Sequence, residues 1–227
     1  MIRLSGVSFR YPASPFRLDV EELEVAAGER VACIGPSGTG KTTLVHLVAG
    51  ILVPERGEVE VAGARIDGLA EKERRARRIA RIGMVFQELE LLDYLSALDN
   101  VLLPYLVSKE LAAGSDARER ARRLARETGI EHTLARRPAR LSHGERQRVA
   151  ICRALVTEPP LVLCDEPTGN LDPDAANAVL DLLFQSVAER GTTLLMVTHD
   201  HSLLARFDRT VDVRELVRGA RAGSCPG

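Results

Sequence analysis

Tryptophan is absent from this chain, and aromatic residues make up only 4% of it. Its arginine-rich stretches (Arg74-Arg75, Arg77-Arg78, Arg118 to Arg126, Arg136-Arg137) have acids interleaved and no aromatics beside them. Such stretches read as solvated helix faces rather than a surface for nucleic acid, and no nucleic-acid partner is expected. Neither sign of charge dominates. The 31 Lys and Arg stand against 32 Asp and Glu, so no overall field draws the chain to a polyanion or to an anionic membrane. Lysine is nearly missing, at Lys41, Lys72 and Lys109 alone. Long apolar runs are missing too. The longest nearly apolar stretch, Leu44 to Val53, is too short to span a bilayer and contains His46. Met1 to Ser5 does not open the apolar core of a signal peptide. The four cysteines (Cys33, Cys152, Cys164, Cys225) form no C-x-x-C pair, which speaks against a zinc site and a disulfide framework. Cys33 and Cys164 lie in apolar runs and read as small buried hydrophobes. The expectation is a soluble protein of a reducing compartment, with any membrane role passing through a partner.

What is present is more specific. The 227 residues, 45% of them hydrophobic, suffice for one large domain or a domain with a subdomain. Gly35-Pro36-Ser37-Gly38-Thr39-Gly40-Lys41-Thr42-Thr43 matches G-x-x-x-x-G-K-[ST], a phosphate-binding loop. Its flanks suit it: Val31 to Ile34 is a strand-type apolar run, and Thr42 to Leu52 is periodic and free of proline. Glycines let backbone N–H groups approach phosphates, and the helix N-terminus adds partial positive charge. Lys41 is placed to reach the β- and γ-phosphates, and the Thr42 hydroxyl to hold Mg²⁺.

Residues 1 to 30 read as β-structure, with alternation over Phe16 to Val20 and a turn at Ala27 to Arg30. Further strands are expected at 57–61, 82–86, 161–164 and 193–197, and helices at 71–81 and 174–189. The last follows Asp172-Pro173, an N-cap and first-turn proline. Residues 88 to 140 are arginine-rich and helically periodic, with breaks at Pro104, Gly114 and Gly129. Alternating strands and helices imply a parallel sheet in an α/β fold. Val217 to Gly227 reads as a weakly ordered tail.

Leu161-Val162-Leu163-Cys164-Asp165-Glu166 is an apolar strand ending in acid, the usual partner of a phosphate loop. Asp165 suits the Mg²⁺ shell, and Glu166 suits polarising a water. Upstream, Ser142-His143-Gly144-Glu145 is locally a capping box opening a helix. In Leu141 to Arg148, just ahead of the acidic strand, it resembles the signature of ATP-binding-cassette (ABC) ATPases. That resemblance spans roughly residues 1 to 213.

It implies a P-loop NTPase (RecA-like) core over 1–87 and 148–213, an antiparallel β subdomain, and an inserted α-helical subdomain over about 88–147. By the same resemblance, 35–43 is the Walker A loop and 161–166 the Walker B strand. Gln87 matches the Q-loop glutamine, a Mg²⁺ and water contact. His199 matches the switch histidine, Asp172 the D-loop aspartate, and Tyr11 the aromatic that stacks on adenine. The family forms head-to-tail dimers in which ATP lies between Walker A of one subunit and the signature of the other. Ser142, His143, Gly144 and Glu145 are thereby expected to face ATP in trans. His143 departs from the usual Leu-Ser-Gly-Gly; it either crowds that approach or adds a donor.

Thr168-Gly169-Asn170-Leu171-Asp172, Gly35 to Gly38 and Ser96 to Pro104 resemble the lipoprotein-release, macrolide-export and cell-division group. The implied function is an ATP-hydrolysing homodimer bound to an integral membrane permease, peripheral on the inner face of the cell membrane. The segment Glu88 to Leu106 is expected to receive the partner, unless its leucines are helical core. Two alternatives stay open: a cell-division type regulator that transports nothing, and a soluble ATPase acting on DNA or the ribosome. The absence of a heptad run or metal cluster argues against the second.

Overall fold

The computed structural model describes residues 1–111, 114–168 and 173–218. In chain order the strands and α-helices are β1 (Ile2–Arg10), β2 (Arg17–Val25), β3 (Arg30–Ile34), α1 (Lys41–Val48), β4 (Arg56–Val61), β5 (Ala64–Arg65), α2 (Glu71–Arg81) and β6 (Ile82–Val85). There follow α3 (Ala97–Val101), α4 (Leu103–Val107), α5 (Ser115–Glu127), α6 (His143–Leu155), β7 (Leu161–Asp165), α7 (Pro173–Arg190), β8 (Thr193–Val197), β9 (Arg209–Asp212) and α8 (Val213–Arg218). Of the tail expected over 217–227, Val217 and Arg218 instead close α8, and 219–227 lies outside the described residues.

The chain forms two compact units, Met1–Arg75 with Thr193 onward, and Ala76–Thr192. In the first, β2-β1-β4-β5 make an antiparallel sheet. Leu18 and Val20, and beyond exposed Glu21-Glu22 Leu23 and Val25, are the buried residues of β2, an inward and outward division that a one-sided sheet requires. Beside it β3 pairs in parallel with β8 and β9, Cys33 standing opposite Val197 and Val211. Val31, Ala32 and Cys33 are fully buried, the continuous apolar run of a doubly covered strand. α1 stops at Val48, short of the expected Leu52. The reason is local: Gly50 N–H turns back to Leu47 O, and Ile51 and Leu52 N–H to His46 O.

In the second unit β6 and β7 pair in parallel from Ile82↔Leu161 to Val85↔Cys164. α6 packs on β6 and against α3, α5 and α7. Gly83 allows that approach, because a Cβ there would stand 2.1 Å from Ala154 O. The helical texture expected from residue 88 begins only at Ala97. Residues 88–96 are shaped instead by buried Asn100, whose amide accepts from Leu92 N–H and donates to Leu92 O and Ser96 O at 2.8 to 3.1 Å.

Candidate active site

β3 delivers the chain to Gly35 in the first unit, and the loop then turns through three glycines at φ +152, +79 and +97. Gly40 is hemmed in as well as bent: a Cβ would lie 2.9 Å from Phe16 Cζ and 3.0 Å from Leu18 Cδ1. Thr39 Oγ1 donates to Pro36 O at 2.8 Å, closing the loop on itself. Lys41, 7% exposed, donates from Nζ to Gly35 O at 2.8 Å and Pro36 O at 3.1 Å. Its ammonium is thus held on the loop at the N-terminus of α1, where helix dipole and cation add. The next residue, Thr42, is exposed, while Thr43 is buried and shares a 3.2 Å hydrogen bond with Tyr11 Oη. Tyr11 meets Phe9 edge-on at 4.8 Å and leans on Phe16 at 6.0 Å.

His199 belongs to the same unit and is exposed just past β8. Thr198 N–H donates to Cys33 O at 3.1 Å, tying that exit to the strand that feeds the phosphate loop. Loop and histidine thus leave the carboxyl ends of paired parallel strands, where α/β sheets bind ligands. Asp200 accepts from Ser202 Oγ at 2.6 Å and Ser202 N at 2.9 Å, and these bonds hold its carboxyl below the usual range.

The second unit gathers the remaining candidates. Gln87 and Asp165-Glu166 leave the same end of the β6–β7 pair. Asp165 is 9% exposed, and Glu166 sits at φ +46, a backbone conformation costing a non-glycine residue about 1 kcal/mol or more. Gln87 is exposed in a turn closed by Leu89 N–H to Phe86 O at 3.1 Å. At the start of α6 the capping box is complete. Glu145 N donates to Ser142 Oγ at 3.2 Å, and Ser142 N to Glu145 Oε2 at 2.7 Å. That backbone donor holds the Glu145 carboxyl below its ordinary value. Half-buried His143 takes a 3.5 Å contact from Arg146 Nη2 at Nδ1, and Gly144 follows in the first turn. Asp172 and its neighbours 169–171 lie outside the described residues.

Residues 18–169 match the ABC transporter family. This chain belongs to that family. Among its relatives, the ATP-binding protein LolD of the lipoprotein-releasing system of Psychrobacter arcticus is 47% identical over 193 residues, 85% of each chain. The LolD of Pseudomonas fluorescens is 43% identical over 204 residues, covering 90% of this chain and 89% of its own. The ATP-binding cassette MJ0796, solved as a dimer in a post-hydrolysis state with ADP and Pi, matches with a TM-score of 0.83 at 32% identity. That match covers 93% of this chain and 94% of the cassette. The chain is accordingly an ABC ATPase that binds ATP. Among the described residues no helix is long and apolar enough to cross a membrane.

Two residues of this ABC ATPase escape sequence reasoning. Phe16 reads as the start of a strand, yet its ring fills the space behind Gly40. Arg153 is a lone cation in the apolar stretch Val149 to Leu155 of α6, which is the signal that could have flagged it. Its Nη2 donates to Leu89 O at 2.6 Å and its Nη1 to Glu90 O at 2.5 Å, just past Gln87. The second unit also carries a concavity of about 280 Å³ walled by Ile79, Ile82, Phe86, Leu103, Pro104 and Val107.

Proposed function

We propose that this ABC ATPase drives a membrane complex of the lipoprotein-releasing type, acting as a homodimer on an integral membrane partner at the inner face of the membrane. The observation that carries this reading is the likeness to LolD along 85% of both chains. The site geometry supports a mechanism to match. The loop N–H groups and the N-terminus of α1 receive the β- and γ-phosphates, and Lys41 exchanges its two carbonyl partners for phosphate oxygens. Tyr11 stacks on adenine. The exposed Thr42 hydroxyl, the Asp165 carboxylate and the Gln87 amide oxygen are hard oxygen donors, the set that Mg²⁺ takes. Mg²⁺ bound by such donors would neutralise charge on the phosphates.

Glu166, set apart from Asp165 by its turned backbone, takes a proton from the attacking water, and His199 donates to the γ-phosphate. Ser142, His143, Gly144 and Glu145 present the first turn of α6 to nucleotide held by the other copy, with Asp172 at the same interface. In this reading 1–87 and 148–213 form the nucleotide-binding core and 88–147 the helical subdomain. The concavity walled by Phe86, Leu103 and Val107 takes a short apolar helix of the membrane partner. Leu106 and Val107, 56% and 44% exposed, are apolar side chains that such a helix would cover.

Glu166→Gln tests the whole assignment. With MgATP it is expected to keep nucleotide, lose turnover by at least about 100-fold and accumulate as a dimer. Purified from detergent-solubilised membranes, it should bring down a protein with few spans and a large extracytoplasmic domain. Wild-type hydrolysis would remove Glu166 from the base role. Co-purification of nucleic acid or a soluble complex instead would overturn the membrane assignment and leave the ATPase standing.

A further inference from the structure

Arg153 is 8% exposed, and burial pulls its guanidinium down to about 10, still cationic at neutral pH. A buried cation is costly unless it is hydrogen-bonded and near opposite charge. Here Nη2 and Nη1 donate to the backbone at Leu89 O and Glu90 O, and the Glu90 carboxylate also favours the charge. Those carbonyls belong to two consecutive non-glycine residues at φ +59 and +48. Such a pair of left-handed residues persists only where its surroundings hold it. Charge-assisted bonds from a planar fork are suited to that task.

Gln87 stands two residues before this strained pair. Its turn, which follows β6 directly, is closed on itself by Leu89 N–H to Phe86 O and held to α6 through Arg153. α6 is the helix whose first turn carries Ser142 to Glu145. The same guanidinium lines the concavity next to Phe86 and Glu90.

We propose that Arg153 is a positioning residue that locks the Gln87 turn to α6, so that Gln87, the first turn of α6 and the floor of the concavity move as one body. The inference rests on the role of Gln87 given above. A packing role makes a different forecast: methionine, apolar and of similar length, would serve as well, because replacing a buried charge by an apolar isostere is often neutral or stabilising.

The test compares steady-state kcat and KM, affinity for a fluorescent ATP analogue, and thermal melts. The proteins are wild type, Arg153→Met, Arg153→Lys, Gln87→Ala and the Gln87→Ala/Arg153→Met double variant. Arg153→Met is expected to melt cooperatively, keep nucleotide affinity within about two-fold and lose about ten-fold or more in kcat. Arg153→Lys recovers part of that loss, since an ammonium satisfies one carbonyl where the fork satisfies two. Added to Gln87→Ala, Arg153→Met costs less than about two-fold more, because both act through one group. If Arg153→Met fails to fold, Arg153→Lys decides: lowered kcat at unchanged affinity supports the clamp, and wild-type kcat overturns it. Independent, multiplying defects in the double variant also overturn it. Loss of turnover in Gln87→Ala beside wild-type turnover in Arg153→Met sinks the clamp alone. Full turnover in Gln87→Ala sinks the role of Gln87 and the clamp with it.

Discussion

At Gly40 a methyl group has nowhere to go. The backbone there is at φ +97, and a Cβ would press on Phe16 at 2.9 Å and Leu18 at 3.0 Å. Phe16 cannot simply step aside, because its ring also leans on Tyr11, which is hydrogen-bonded to Thr43 of α1. Gly40→Ala is therefore expected to lose on the order of 1–3 kcal/mol of stability, and nucleotide affinity along with it, through displacement of the loop. Denaturant unfolding and a nucleotide titration on the same sample check both. A variant that unfolds like wild type would mean that Phe16 and Leu18 yield. The consequence reaches the site because the same residue opens α1, whose N-terminus carries Lys41.

Among the elements, β9 is held to β3 by two ion pairs. Asp208 accepts from Arg30 at Nη2 (2.6 Å) and from the Arg30 backbone N–H (2.9 Å), while Arg209 Nε donates to Glu29 at 2.7 Å. Arg30 holds the Asp208 carboxyl, and Arg209 the Glu29 carboxyl, below their ordinary values. A carboxyl lowered by folding stabilises above its unfolded pKa, about 3.9 for Asp and 4.3 for Glu, and loses that contribution as pH falls through the folded value. Thermal midpoints should thus drop between about pH 5 and pH 3, and less steeply in Asp208→Asn/Glu29→Gln. Parallel pH curves for the two proteins would exclude the pairs as the cause. β9 itself escapes the sequence because two exposed and two half-buried residues with one apolar side chain, Val211, carry no period. α2 (Glu71–Arg81) and β8 (Thr193–Val197) are legible as they stand, since charge pattern and apolar run are local signals. The 88–96 stretch is not, because its path depends on Asn100, four to eight residues away from its partners and buried. The phosphate loop is legible for the same reason as α2: all its chemistry lies within nine residues. Arg153 stands out only as a cation in an apolar stretch, and its role is not legible because its partner Leu89 is 64 positions distant.

At the scale of the whole molecule, the proposed meeting of two copies over ATP turns on the first turn of α6, and His143 stands in it. It occupies the first position of α6, where the proposed trans contact needs open N–H groups. Its ring turns along the helix to Arg146 Nη2 at 3.5 Å, and it is half-buried there. The contact with the i,i+3 neighbour sets the ring's direction along the helix rather than toward the helix end. That arrangement favours bulk over donation as the effect of His143 on an approaching phosphate. Glycine at the same position keeps the Ser142–Glu145 capping box, whose atoms belong to other residues. His143→Gly, made in the Glu166→Gln background where ATP is not consumed, is accordingly expected to tighten ATP-driven dimerisation about five-fold, near 1 kcal/mol. Sedimentation at graded protein concentration with MgATP reads this directly. A weaker dimer would assign His143 the donor role, and an unchanged one would place the side chain outside the interface.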